Sequence, residues 1–522
     1  MRNPVNRARI LFGCASGMKL MKGRPKNYLA FCRQNGQSFG DFCGKPMPSY
    51  FYTIPKAIFW LIIILLTAPG VMFAEPSLQK LIDQAAEGES ISLDADRYLG
   101  PVIITKSVIL DGQNRVVIDG QGKDSVIHIK ADGVVIKNLT IQNSGDSHDQ
   151  VDAGILIRSS HNRILNNRIQ NTLFGIDLQE AHDNEVIGND ISSKNVSLGV
   201  RGDGIRGWAS HRNIFRKNRI HDSRDMVIWY SNDNLIEENE AWNNRYSLHF
   251  MFAGGNTVRK NRYHHNAVGI FLMYSRDATI EHNVIKYSTG GTGVGIGLKE
   301  SDNMTIKHNQ IVYCTAGMYF DLSPFQPDRY NFVKANEIAY NVIGVDFNSA
   351  LPRNIFKGNA FIDNLETIKV HGNGTVTESV WEGNYYSDYQ GFDRDNDGYG
   401  DAVHHQDIYL DTLWMDDDWV RFFYGSPVIS VVNLLAKLAP ISEPRRLMSD
   451  QSPVFNIDPS VLYSSQNLFF NPPEIEIEED EDGENVPARF ADMDDDEEDE
   501  DEDEELETNQ ESDNYNRYYL KQ

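Results

Sequence analysis

Cysteine is scarce in this chain: of four in 522 residues, Cys14, Cys32 and Cys43 lie in the first fifty. Beyond any leader only Cys314 remains, so the mature chain can form no internal disulfide and cysteine chemistry is not its function. Positive charge is also short, with 49 Lys and Arg against 75 Asp and Glu. That balance argues against a nucleic-acid partner, whose phosphates would need a basic surface. No apolar run reaches the roughly 20 residues that span a bilayer as a helix. Neither a phosphate-cradling glycine motif nor a nucleophile triad is present, so any energy input must come from another subunit. Helical spacing is confined to a few short stretches.

What the chain has is a ladder of asparagines. Asn218, Asn239, Asn261 and Asn283 follow one another at steps of 21, 22 and 22 residues. The series extends back through Asn189 and Asn167 to Asn138, and forward through Asn309, Asn336 and Asn359 to Asn384. A fixed period near 22 predicts a solenoid. Each unit opens on a short apolar alternation, such as Gly175-Ile176-Asp177-Leu178 or Gly269-Ile270-Phe271-Leu272, bounded by Asn, Asp, Ser and Gly. Period-2 runs between turn residues are strands. The expected fold is therefore all-β: a right-handed parallel β-helix of about 11–12 coils, each strand pairing with its equivalent about 4.8 Å away. The ladder asparagines are expected at one corner, in left-handed backbone geometry and bonding their own main chain.

Five segments follow from this reading. Residues 1–74 read as a leader and export signal: Lys56 precedes the apolar run Ala57 to Gly70, and small residues follow. A start at Met47 would give a leader of ordinary size, and an uncleaved membrane anchor is the alternative. Residues 75–90 read as an N-terminal cap, with Ser77 capping a short helix whose Leu78, Leu81, Ile82 and Ala85 share a face. The coils are expected over 91–388, an acidic loop and docking segment over 389–455, and a disordered acidic tail over 456–522. Glu474 to Glu507 holds 22 acidic residues against Arg489, about −21 of the net −26.

One face breaks the alternation. Inward positions are apolar, as in Met226 and Ile228 or Leu248 and Phe250, so the outward ones should be polar. Ten residues before successive ladder asparagines, however, stand Trp208, Trp229, Met251 and Met273, before the column ends at Lys299. Two residues earlier lie Arg206, Val227, His249 and Phe271. An outward apolar strip marks a surface that meets something. His249 and Met251 share a strand face and Met273 falls on the next rung; imidazole and thioether are soft donors that select Cu(I). The bland alternative is that the strip packs under the C-terminal segment, with methionine as filler.

After the coils, Asp393, Asp395, Asp397 and Asp401 alternate around Gly398 in the manner of a calcium loop, although His404 stands where an EF-hand has Glu. Leu413 and Trp414 follow, and then Val428, Val431, Leu434 and Leu435 in an apolar run that Pro440 stops. That run is too short to span a membrane and could dock on the coils or on a membrane-bound partner.

The repeat from Gly154 to Asn359, the segments Arg245-Tyr246-Ser247-Leu248-His249-Phe250-Met251-Phe252 and Met273-Tyr274-Ser275-Arg276, the stretch from Gly383 to Asp401, and the tail from Ser426 to Pro453 together resemble the NosD family. Its members are periplasmic β-helix proteins associated with maturation of the copper sites of nitrous oxide reductase. The family motif carries Gly where this chain has Ser247. The resemblance covers about residues 77 to 455. It implies a non-enzymatic factor acting with an inner-membrane ABC transporter, a copper chaperone and the apo-reductase, and presenting copper or sulfur. His249, Met251 and Met273 would then be transient Cu(I) contacts, with calcium a second candidate metal in the acidic loop. Trp208, Trp229, Arg245, Phe271 and Arg276, with Leu413, Trp414 and the Val428 to Leu435 run, would meet partners. Two other classes stay open: a polysaccharide lyase or epimerase on the same solenoid, and a passive adhesive solenoid. His264-His265 and His404-His405 are the possible enzymatic seeds.

Overall fold

The computed structural model describes residues 77–408 apart from Asn373, residues 444–457, scattered positions from 426 to 435, and two short strands, Ile477–Glu479 and Asn485–Pro487. The leader, Leu413, Trp414 and most of the acidic tail lie outside the described residues. No helix among the described residues is long and apolar enough to cross a membrane.

The repeats wind into a parallel β-helix with three strands per coil, as in Ile205–Trp208, Ile214–Arg216 and Arg219–His221. The first strands of successive coils form a twelve-stranded sheet, the first face, from Val102–Ile104 to Glu366–Val370. The second and third strands make a further 24-stranded array. Inward side chains form one continuous column of core: Ile205, Met226, Ile228, Leu248, Phe250, Ile270 and Leu272 are all fully buried. Stacking identical registers lets every inward methyl meet its equivalent on the next rung, so the hydrophobic contribution scales with the number of coils.

The asparagines hold the corners. Asn218 donates its N–H and its Nδ2 to Asn239 Oδ1, both at 3.0 Å, and Asn239 Nδ2 donates to Phe215 O at 2.8 Å. Two features differ from the sequence reading. The left-handed residue is the one before each ladder asparagine, Lys217, Glu238, Lys260 and His282 among them, with φ of 55–57°. The asparagines themselves are thereby aimed at the next coil's amides rather than at their own main chain. Asn138 is not in the ladder either. It too is a left-handed residue, and Leu139 takes the corner, donating its N–H to Asn167 Oδ1 at 3.1 Å. A second ladder also exists, from Asn162 through Asn184, Asn213 and Asn234 to Asn256.

Both ends are covered. The helix Leu78–Gln84 lays Leu78 and Ile82 on the open core. Ser77 makes no side-chain cap bond; its carbonyl accepts from Lys80 and Leu81 instead. At the other end, the antiparallel strands His404–Ile408 and Arg445–Asp450 close the last coil, with Leu447 and Met448 in the core. Part of the stretch read as a docking segment is thus committed to the solenoid itself. Cys314 is a buried free thiol at a corner, and burial pushes its pKa up to about 12.

Candidate functional site

The site grows from the register of the first face. Trp208, Trp229, Met251, Met273 and Lys299 are direct rung-to-rung partners, and so are Arg206, Val227, His249, Phe271 and Gly297. Neighbouring bulky side chains on rungs so close cover one another. Hence Val227 and His249 are buried, Trp229, Phe271, Met251 and Met273 are half-buried, and Trp208 is exposed.

His249 Nε2 lies 3.1 Å from Met273 Sδ across the diagonal between rungs, with Met251 directly beside Met273 in register. The Tyr246 ring stacks on the imidazole, centroids 4.6 Å apart and planes 17° off parallel. Phe271 meets the imidazole edge-on at 6.4 Å. Gly297 permits this: a Cβ there would collide with the Phe271 ring, which leans across the next rung. Burial pushes the His249 pKa down to about 4; Asp225 opposes that shift, and Arg245 and Arg224 assist it. The imidazole is therefore neutral near pH 7, which is the protonation state a metal ligand needs.

Strand Tyr246–Met251 carries one residue more than strand Asp225–Trp229 between matched positions: Asp225 faces Tyr246, whereas Val227 faces His249. That bulge re-aims the side chains on either side. Ser247, in the bulge, is fully buried and donates its hydroxyl to Val268 O at 3.3 Å. Beside the methionine column runs an aromatic one. Trp229, Tyr230, Phe252 and Tyr274 stack at centroid distances of 5.7, 5.1 and 4.8 Å, the last three residues with φ of 50–52°. Positive φ is uncommon for aromatic residues.

The sequence reading missed a charged cluster next to this site. Arg206 donates to Asp177 at 2.6 Å, and Arg245 makes two bonds to Asp225, of 3.2 and 2.6 Å. Asp203 is buried beside Asp225; burial first, then that neighbouring carboxylate, push its pKa up to about 7. The signal lay in carboxylates at strand starts, Gly202-Asp203-Gly204 and Arg224-Asp225, whose side chains turn toward one another only once the coils stack. Arg245 belongs to this cluster, while Arg276 lies three residues past Met273 on the same coil and bridges to Gly254 and Asp302 through its backbone.

The other predicted sites lie apart. Asp393, Asp395 and Asp397 bring carboxylate oxygens within 4.8 Å of one another. Asp401 is not in that group: its carboxylate accepts the Arg394 N–H at 2.7 Å. His264 and His265 touch through their Nδ1 atoms at 3.1 Å, and His404 stacks on Tyr386 at 4.1 Å beneath the C-terminal cap. Val428, Val431, Leu434 and Leu435 are exposed.

Fold and site together define a parallel β-helix whose outward first face carries soft donors. More narrowly, residues 187–391 match the family model described as "Periplasmic copper-binding protein (NosD)". Two relatives are each named "Probable ABC transporter binding protein NosD". The one from Stutzerimonas stutzeri is 28% identical over 72% of this chain and 90% of its own length. The one from Pseudomonas aeruginosa is 28% identical over 67% of this chain and 84% of its own. Among solved structures, the mannuronan C-5 epimerase AlgE4 A-module of Azotobacter vinelandii is 16% identical over 57% of this chain and 94% of its own, with a TM-score of 0.43. At that distance the likeness says nothing about activity.

Proposed function

We propose that this chain is a periplasmic, non-enzymatic maturation factor that works with an ABC transporter to assemble the copper sites of nitrous oxide reductase. In this reading it presents Cu(I) as cargo on His249, Met251 and Met273. The observation that carries it is the approach of His249 Nε2 to Met273 Sδ at 3.1 Å, with Met251 in register beside them. A neutral imidazole and two thioethers are a soft donor set on an outward face, while the carboxylate that acts on His249, Asp225, is occupied by Arg245 and the Tyr246 amide. The family's description and the relatives' names support copper and the transporter as partners. A copper chaperone and the apo-reductase complete the transfer chain, and sulfur is the alternative cargo. The exposed Val428, Val431, Leu434 and Leu435, with Leu413, Trp414, Trp208, Trp229 and Arg276, suit a docking role. Asp393, Asp395 and Asp397 suit a calcium ion that would brace the last coil, without Asp401.

Competition for Cu(I) against a colorimetric chelator tests the reading. His249→Ala, Met251→Ala and Met273→Ala should each weaken binding about tenfold or more, and co-purification with the transporter should persist. Wild-type protein that leaves the chelator's Cu(I) untouched would sink it.

One observation favours a second reading. Asp203, Asp225, Arg245 and Tyr246 bring acid, base and cation together on the first face, the residue types that a lyase or epimerase acting on an acidic polysaccharide would need. Turnover of alginate or pectin that is lost in Asp203→Asn would replace the first reading with this one.

A further inference from the structure

Of the three donors, His249 alone has its ring held on both faces of the problem: its rotation and its place along the strand. Tyr246, Arg245 and Asp225 do the holding. Asp225 is almost fully buried, and its two carboxylate oxygens are divided between two tasks. Oδ1 accepts the Tyr246 N–H at 2.9 Å, filling the acceptor position that the bulge takes away from the neighbouring backbone. Both oxygens also accept from the Arg245 guanidinium, at 3.2 and 2.6 Å. The guanidinium carbon then lies over the Tyr246 ring, 5.0 Å from its centroid, and that ring stacks on His249. The order is carboxylate, guanidinium, phenol ring, imidazole, and finally the Met273 sulfur at 3.1 Å.

Each contact in this series restricts the next. A charge-assisted bidentate pair fixes the guanidinium plane, cation–π attraction fixes the phenol ring against it, and offset stacking fixes the imidazole. A histidine on an outward strand face otherwise has several rotamers, and only some aim Nε2 at the next rung. Groups that orient a ligating imidazole contribute to metal affinity without touching the metal.

We infer that Asp225, Arg245 and Tyr246 are positioning residues that hold the His249 ring with Nε2 aimed at Met273, so that a soft metal meets a preset pair of donors. This rests on the copper reading of the site, and it moves Arg245 from partner contact to internal clamp. The contacts that Tyr246 makes in this series are those of its ring. Tyr246→Phe therefore preserves the arrangement, while Tyr246→Leu releases it, and Asp225→Asn loosens it by weakening the hold on Arg245.

The experiment combines a metal-free readout with a metal-bound one. Histidine-selective 15N labelling reports the imidazole of His249 in the purified metal-free protein, its signals assigned by their loss in His249→Gln. Wild type and Tyr246→Phe should give one tautomer and sharp signals; Tyr246→Leu should give averaged ones, with a melting temperature like that of wild type. In Cu(I) competition, Tyr246→Leu and Asp225→Asn should bind more weakly by about tenfold, the usual scale for orienting groups, and Tyr246→Phe as tightly as wild type. His249 signals in Tyr246→Leu identical to those of wild type would overturn the inference. So would an equal loss of Cu(I) affinity in Tyr246→Phe and Tyr246→Leu. If wild type and Tyr246→Phe hold the ring and Tyr246→Leu does not, yet none of them binds Cu(I), the clamp stands and the copper reading falls.

Discussion

His221 shows how a single side chain on this solenoid acquires its charge from the coils beside it. Its Nδ1 lies 2.7 Å from Asp222 and its Nε2 3.1 Å from Asp190, one coil earlier. Burial would lower its pKa, but the hydrogen bonds to Asp190 and Asp222 overcome that and raise it to about 9. The folded pKa thus exceeds the unfolded value near 6.5, so the stabilisation is fully present below about pH 6.5 and is lost as pH rises through about 9. With the ring partly solvated, it amounts to roughly 1–2 kcal/mol. Urea melts should show His221→Gln less stable than wild type by that amount near pH 6 and equal to it near pH 10. A difference that does not change with pH would mean that packing on Trp242, 4.5 Å away, and not charge, holds this residue. His249, 28 residues further on, is pushed the opposite way because its neighbourhood supplies burial and arginines in place of two bonded carboxylates.

At the scale of the element, the corner asparagine is the repeating unit of stability. Asn239 receives two bonds from Asn218 and makes further ones to Phe215 O and Asn261 Oδ1. Asn239→Leu takes the acceptor from the buried Asn218 N–H and removes the side-chain donor to the Phe215 carbonyl, at a cost of about 2 kcal/mol or more. The urea midpoint should fall accordingly, whereas substituting the neighbouring left-handed Lys260 by Gly should cost nothing or stabilise, since its φ is 56°. The ladder was legible in the sequence because a 22-residue step repeats its residue type. The rung partners of the Trp208 to Lys299 column were legible by the same counting. Other features were not. Leu139 occupies a corner without being Asn, so counting by residue type chose Asn138 beside it. The diagonal His249–Met273 contact depends on side-chain rotamers, which a period does not record, and the one-residue bulge at Tyr246 leaves no mark on a period that varies by a residue or more from coil to coil. The Asp203, Asp225 and Arg245 cluster is assembled from strand starts two coils apart, and its charges look like ordinary solvated turn residues until they are stacked.

For the whole molecule, a solenoid passes contacts only to its neighbours, so its ends decide whether the stack holds. Asp450 closes the asparagine ladder in place of an eleventh asparagine from a further coil. One of its oxygens accepts the Asn384 N–H and Nδ2 at 3.0 and 2.9 Å, and the other accepts the N–H of Gly383 and of Ser452. The Tyr386 hydroxyl donates to it as well, at 3.3 Å. Asp450→Ala would therefore leave the last rung with unmet donors at the same place where strand Arg445–Asp450 must stay paired, whereas Asp450→Asn keeps an amide oxygen in the ladder position. Hydrogen exchange should show Asp450→Ala losing protection over Val380–Glu382, Tyr385–Tyr386 and strand His404–Ile408, with much smaller losses in Asp450→Asn. The coil of His249 lies five rungs away, so its protection and its Cu(I) affinity should not change. If affinity falls together with protection at the end, the cap and the first-face site belong to one cooperative unit, and the nearest-neighbour account of this solenoid fails.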